Sequence, residues 1–158
     1  MIVVSDTTAL TNLLKIGEAD LLRELFGVII IPVAVEKELR KIAQHAQFLS
    51  ENDWVLVEKP ANQLAVRKLR TSLGEGESEA IILAKERNAD YLIIDELKGR
   101  AKAKEMGLKI IGLLGVLIEA KRENILPQIK PLLERLQSEA NFFVNPQLFI
   151  RILEIAGE

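Results

Sequence analysis

Short β-branched runs alternate along the chain with segments whose apolar positions repeat at helical spacing. Ile2-Val3-Val4-Ser5 reads as a buried strand that opens the fold. Helical period follows from about Thr7 to Lys15 and from Glu18 to Phe26. Gly17 and Gly27 sit where helix C-termini commonly place a residue of positive φ. Val28-Ile29-Ile30-Ile31 is a second strand, and Pro32 suits the loop or first turn of the next helix. That helix, roughly Val33 to Gln44, carries an apolar stripe of Val35, Leu39 and Ile42. Trp54-Val55-Leu56-Val57 predicts a third strand, and Leu64, Ala65, Leu69 and Leu73 predict a helix over Ala61 to Leu73. After Gly74-Glu75-Gly76-Glu77, an apolar helix runs to about Arg87, and Tyr91-Leu92-Ile93-Ile94-Asp95 is the clearest strand of all. A lysine-rich helix to Glu105 and a short strand, Lys109-Ile110-Ile111, come next.

Beyond Gly112 the pattern is helical apart from Phe142-Phe143-Val144. Ile129, Leu132, Leu133 and Leu136 share one face; Asn145-Pro146 caps a last helix with Leu148, Ile152 and Ile155 inward. Strands separated by helices imply parallel pairing through right-handed crossovers, with helices on both faces of the sheet. The expectation is one α/β domain over residues 1–158, in three α/β/α layers with a mostly parallel sheet. A helical extension, about 125–158, packs on it.

Composition narrows the chemistry. With 49% hydrophobic and 28% charged residues among 158, the chain has globular composition. Its formal charge is −2, from 21 Lys+Arg and 23 Asp+Glu, so no global basic field points to nucleic acid. There is no Cys, and His45 is the single His. That excludes disulfides, thiolate nucleophiles, Cys-based zinc sites and any mechanism needing two histidines. No signal-peptide pattern and no membrane-spanning run is present, and a cytoplasmic location is expected.

Any chemistry must then rest on carboxylates, hydroxyls and amines, and the carboxylates stand out. Asp6 follows the first strand and Asp95 ends the Tyr91–Ile94 strand, so both are expected at the carboxyl edge of the sheet, where ligands of open α/β sheets bind. Each is also a favoured N-cap residue, with a helix directly after it. Glu38 lies about 60° from Val35 on a helical wheel, at the border of the apolar stripe, while Glu36, Lys37, Arg40 and Lys41 fall more than about 100° away. That position suits a partner in the fold or a ligand, or else a side chain that snorkels to water or pairs with a lysine. Glu75, Glu77 and Glu79 crowd the start of one helix, where their mutual repulsion invites a cation; the alternative, a solvated acidic turn, suits Glu75 better. Hard divalent cations take oxygen ligands, and such a site hydrolyses phosphodiesters without His or Cys.

These residues resemble the PIN-domain family, in particular its VapC-like members. Val3-Val4-Ser5-Asp6-Thr7-Thr8 is similar to the family's opening strand, Asp and small hydroxyl residue. Ile31-Pro32-Val33-Ala34-Val35-Glu36-Lys37-Glu38-Leu39 is similar to its Pro-x-x-Val-x-x-Glu segment and puts Glu38 in the second acidic position. Leu92-Ile93-Ile94-Asp95 looks like the strand bearing the last acid, and Gly107-Leu108-Lys109-Ile110-Ile111-Gly112 continues in order. The third position departs from the family, with Gly-Glu-Ser-Glu-Ala-Ile where Asp is usual: counting back from Asp95 favours Glu77, whereas the following Ala-Ile favours Glu79. The resemblance covers about residues 1 to 124.

It implies a Mg²⁺- or Mn²⁺-dependent ribonuclease, often the toxin of a toxin–antitoxin pair and often a homodimer. Asp6, Glu38, Glu77 and Asp95 would be the catalytic, metal-holding acids, with Glu79 as the alternative third ligand. Thr7 or Thr8 would orient a ligand or water. Candidate RNA contacts are Lys98, Arg100, Lys102 and Lys104, with Arg67, Lys68 and Arg70 as a second cluster. The rival is a PIN-like module that binds or scaffolds without cleaving. A haloacid-dehalogenase phosphotransferase ranks low because Thr8 stands where its second Asp is needed, and no Gly-rich phosphate loop is present.

Overall fold

Successive residues of a strand face opposite sides of a sheet, and here both sides are apolar. The structure, a computed structural model, describes residues 1–158. β1 (Val3–Ser5) leads into α1 (Thr7–Lys15), and α2 (Asp20–Phe26) returns the chain to β2 (Ile29–Pro32). α3 (Val33–Leu39) and α4 (Ala43–Glu51) precede β3 (Val55–Glu58). α5 (Gln63–Leu69) and α6 (Glu75–Glu86) carry the chain back to β4 (Tyr91–Ile93). α7 (Leu97–Glu105), β5 (Ile110–Ile111) and three helices complete the chain: α8 (Leu113–Arg122), α9 (Lys130–Glu139) and α10 (Pro146–Ile155).

The five strands form one sheet in the order β3-β2-β1-β4-β5. Every pairing is parallel; Val4 aligns with Ile30 on one side and with Leu92 on the other. The expected three-layer α/β/α fold is therefore present, with a wholly parallel sheet. Val3, Ile29, Ile31 and Ile93 face one layer, together with Leu10 and Leu13 of α1, Leu22 of α2, and Val116 and Leu117 of α8. Val4, Ile30 and Leu92 face the other, packed on Val66, Leu69, Ile81, Leu83 and Ala103 from α5, α6 and α7. Ile129, Leu132, Leu133 and Leu136 join the first layer, so α9 extends that core.

The chain moves outward from β1 through β2 to β3 and then crosses back to place β4 on the other side of β1. The sequence order thus reverses between β1 and β4, which opens a crevice beyond their carboxyl ends.

Three expectations from the apolar pattern are corrected. The helix over Val33 to Gln44 is broken: α3 stops at Leu39, and Ile42 is extended (φ −106°, ψ 120°) and 42% exposed rather than in the stripe. The break turns α4 so that Phe48 packs edge-on against Trp54 with ring centroids 5.7 Å apart. In α5, Leu64 faces solvent, because the helix is only seven residues long and buries Val66 and Leu69 instead. In α10 only Ile152 is buried; Leu148 and Ile155 are exposed, because α10 presses on the core along a narrow stripe that includes Phe149 and Leu153.

Candidate active site

Four chain segments meet at the crevice beyond β1 and β4. They line a cavity of about 390 Å³ with Asp6, Thr7 and Thr8 from the start of α1, Ala34, Lys37 and Glu38 from α3, and Lys41 just past it. Gly74 to Glu77 from the start of α6, and Glu96 after β4, close the ring. Ala34 is the one hydrophobic residue among the twelve.

Asp6 occupies the N-cap position of α1, yet its side chain makes no capping hydrogen bond. It is only 4% exposed, and its backbone N–H donates to Ile93 O at 2.9 Å, which ties the end of β1 to β4. Burial pushes its carboxyl up to about 6; the Thr7 amide offsets this in part, while the charges of Glu38, Glu96 and Asp95 add to it. The Thr7 hydroxyl donates to Glu38 Oε2 at 3.2 Å, joining the starts of α1 and α3.

Glu77 is buried in the first turn of α6. Its Oε1 accepts from the Gly74 amide at 3.4 Å, and its Oε2 is buried with no hydrogen-bond donor in reach. Burial, then the charges of Glu96 and Asp6, push its carboxyl up to about 7. Two glycines make this placement possible. A Cβ on Gly99 would collide with Glu77 Oε2 and would come within 2.7 Å of Ile94 Cδ1. A Cβ on Gly76 would sit 3.2 Å from Asp6 Oδ1.

A PIN-domain family model matches residues 2–158. The chain belongs to the PIN-domain family. No curated protein and no solved structure matches it significantly. PIN domains are generally nucleases that act on nucleic acid and use divalent metals, so the crevice belongs to a nuclease-type hydrolase fold. No helix is long and apolar enough to cross a membrane.

Within this PIN domain, Asp6, Glu38 and Glu77 share the cavity, together with Thr7 and Thr8. Glu79 does not line it: the carboxylate turns to the start of α3, where Oε1 accepts from the Ala34 amide at 3.2 Å. Asp95 is at the expected edge, but its carboxylate is not in the cavity either. Oδ1 accepts from Leu113 N at 3.0 Å and so caps α8, while Oδ2 is buried without a partner. Burial raises its pKa, with the Leu113 amide and Arg100 pulling back. The residue that enters the cavity from β4 is Glu96. Its adjacency to a strand-end Asp masked it.

The basic candidates divide similarly. Arg100 is used internally: Nη1 donates to Ile94 O at 2.9 Å, next to Asp95. Lys102 lies 3.5 Å from Glu105, and Lys98 and Lys104 are exposed on α7. Arg70 pairs with Glu75 at 3.9 Å, at the rim of the cavity. The cations that line the cavity itself are Lys37 and Lys41.

The donor set suits a hard divalent cation. Five carboxylates face two lysines, and the orphaned Glu77 Oε2 is a buried acceptor without a donor. No three acidic side chains stand together as a finished cage. Mg²⁺ does not need one, since it commonly takes one or two carboxylates and keeps several waters.

Proposed function

We propose that this protein is a Mg²⁺- or Mn²⁺-dependent endoribonuclease. The observation that carries the reading is the meeting of Asp6, Glu38, Glu77 and Glu96, from four distant segments, in one polar crevice at the strand-order reversal. Asp6, Glu38, Glu77 and Glu96 would hold the cation, directly or through water. A bound divalent cation supplies Lewis acidity to phosphoryl oxygens and lowers the pKa of water. In the hydrolysis, a water oxygen bonds to phosphorus, the bond from phosphorus to the leaving sugar oxygen breaks, and that oxygen takes up a proton.

The chain's own residues prepare this step. Thr7 holds Glu38 in orientation through its hydroxyl. Gly76 and Gly99 leave room for Asp6 and Glu77. Asp95 acts as a positioning residue: by tying Leu113 to the turn after β4 it fixes the backbone from which Glu96 projects. Burial raises the carboxyls of Asp6 and Glu77 to about 6 and about 7, so a cation held there would compete with protons.

The similarity of the β1–Asp6–Thr7 and Pro32–Glu38 segments to VapC-like proteins supports a finer assignment, the toxin of a toxin–antitoxin pair acting as a cytoplasmic homodimer restrained by a protein antitoxin. The deciding experiment incubates purified protein with mixed RNAs, with and without Mn²⁺, beside Asp6→Asn. Cation-dependent cleavage lost in Asp6→Asn is expected, with growth arrest on expression that the same substitution relieves. Equal cleavage by Asp6→Asn, with contaminating nuclease excluded, overturns the catalytic assignment. Absence of any cleavage by the wild type favours the non-catalytic scaffold module.

A further inference from the structure

The acid cavity has two cations in its wall, Lys37 and Lys41. Spaced four residues apart, they bracket the end of α3: Lys37 is in its last turn, and Lys41 N donates to Glu38 O at 3.2 Å as the chain leaves it. Both are exposed. Arg40, between them in sequence, is held by Glu36 at 3.3 Å, whereas Lys37 and Lys41 take part in no ion pair. Two ammonium groups beside Glu38, in a wall shared with four other acids, stay free of all of them.

We infer that Lys37 and Lys41 are the substrate-holding cations of this site, contacting backbone phosphates that flank the one attacked. The inference rests on the ribonuclease reading above and adds to it the class of substrate contact. A polar cavity with Ala34 as its only hydrophobic lining residue and no aromatic side chain offers no stacking platform for bases. It offers two ammonium groups, beside Glu38 at the end of α3, among carboxylates suited to a cation. Binding is therefore directed to the sugar–phosphate backbone, with little readout of base identity. The competing role for these lysines is to balance the charge of the acids within the fold. The two roles differ in one observable, because only a phosphate contact releases counterions from RNA.

The test measures Mn²⁺-dependent cleavage, and binding in Ca²⁺, of a short fluorescein-labelled single-stranded RNA of mixed sequence over a range of salt. Wild type, Lys37→Ala, Lys41→Ala, the double variant, Lys37→Arg and Lys109→Ala are compared. Lys109 precedes β5 and so stands at the opposite edge of the sheet. Each alanine variant is expected to raise KM about fivefold with kcat within about twofold. Each should reduce the slope of log affinity against log salt by about 0.7. Lys37→Arg should restore the slope, and Lys109→Ala should match wild type. Wild-type slopes in both alanine variants, with RNA still bound and cleaved, overturn the inference and leave the ribonuclease reading intact. No binding and no cleavage of RNA by the wild type overturns both.

Discussion

Asp6 and Asp95 carry the same local signature: an apolar strand, then Asp, then a helix. Their fates differ. Asp6 sits at the N-cap of α1 without using its side chain to cap it, and its buried carboxylate opens to the cavity. Asp95 leaves the helix that follows it uncapped and instead accepts from Leu113 at the start of α8. The difference lies in the neighbour. β4 pairs with β5, which delivers the N-terminus of α8 beside Asp95, whereas Asp6 meets Glu38, Glu77 and Glu96. Asp95 accepts from a free N–H, whereas Asp6 shares the cavity with the acids proposed to hold the cation.

The sharpest way to break this comparison is to remove each carboxylate in turn. Asp6→Asn is expected to lower cleavage by about a thousandfold or more, the range in which single active-site groups act, and to leave the fold intact. Asp95→Ala should instead cost about 1–2 kcal/mol of stability through the lost cap, read by denaturant melting, while retaining far more activity than Asp6→Asn. Equal losses of activity with unchanged stability would show that the two acids do the same work.

Gly99→Ala tests Glu77 without touching an acid. The added methyl group would displace Glu77 and press on Ile94. The expected result is a stability loss of about 1–3 kcal/mol and a weaker Mn²⁺-induced rise in melting temperature. A normal Mn²⁺ shift would mean that Glu77 is dispensable for holding the cation.

The smallest expected effect is on pH. The carboxyls of Asp6 and Glu77 are raised in the folded state to about 6 and about 7 from ordinary values of 3.8 and 4.5. The folded chain thus binds these protons more tightly than the unfolded chain. Their stabilising contribution is complete below about pH 4 and is lost as pH rises through about 6 to 7. In cation-free buffer, the melting temperature of wild type should fall relative to that of Asp6→Asn across this window. Saturating Mn²⁺ should remove the difference, because bound cation replaces the protons. Parallel curves for the two proteins would remove the electrostatic account of the crevice.

Much of the architecture is readable along the chain because periodicity reports burial directly. The five strands, the crossover helices, and the apolar face of Ile129, Leu132, Leu133 and Leu136 all follow from which positions are apolar. Gly17 and Gly27 do adopt positive φ, of 71° and 79°. The break after Leu39 carries no such mark, since no Gly or Pro interrupts residues 33–51; it goes with the packing of Phe48 on Trp54. The exposed Leu148 and Ile155 of α10 show the limit of an apolar stripe, which states what can be buried and not how wide a neighbour is available.

The candidate site divides along the same line. The sequence alone determined that any chemistry must rest on carboxylates, hydroxyls and amines, that Asp6 follows the first strand, and that Glu38 borders an apolar face. Which acids face one another was decided only in three dimensions. Glu77 rather than Glu79, Glu96 rather than Asp95, and Lys37 and Lys41 rather than the lysines of α7 line the cavity. The physical reason is the same in each case. A charged side chain turns toward whichever buried N–H, glycine cleft or charge the rest of the fold presents, and spacing along the chain does not encode that neighbour.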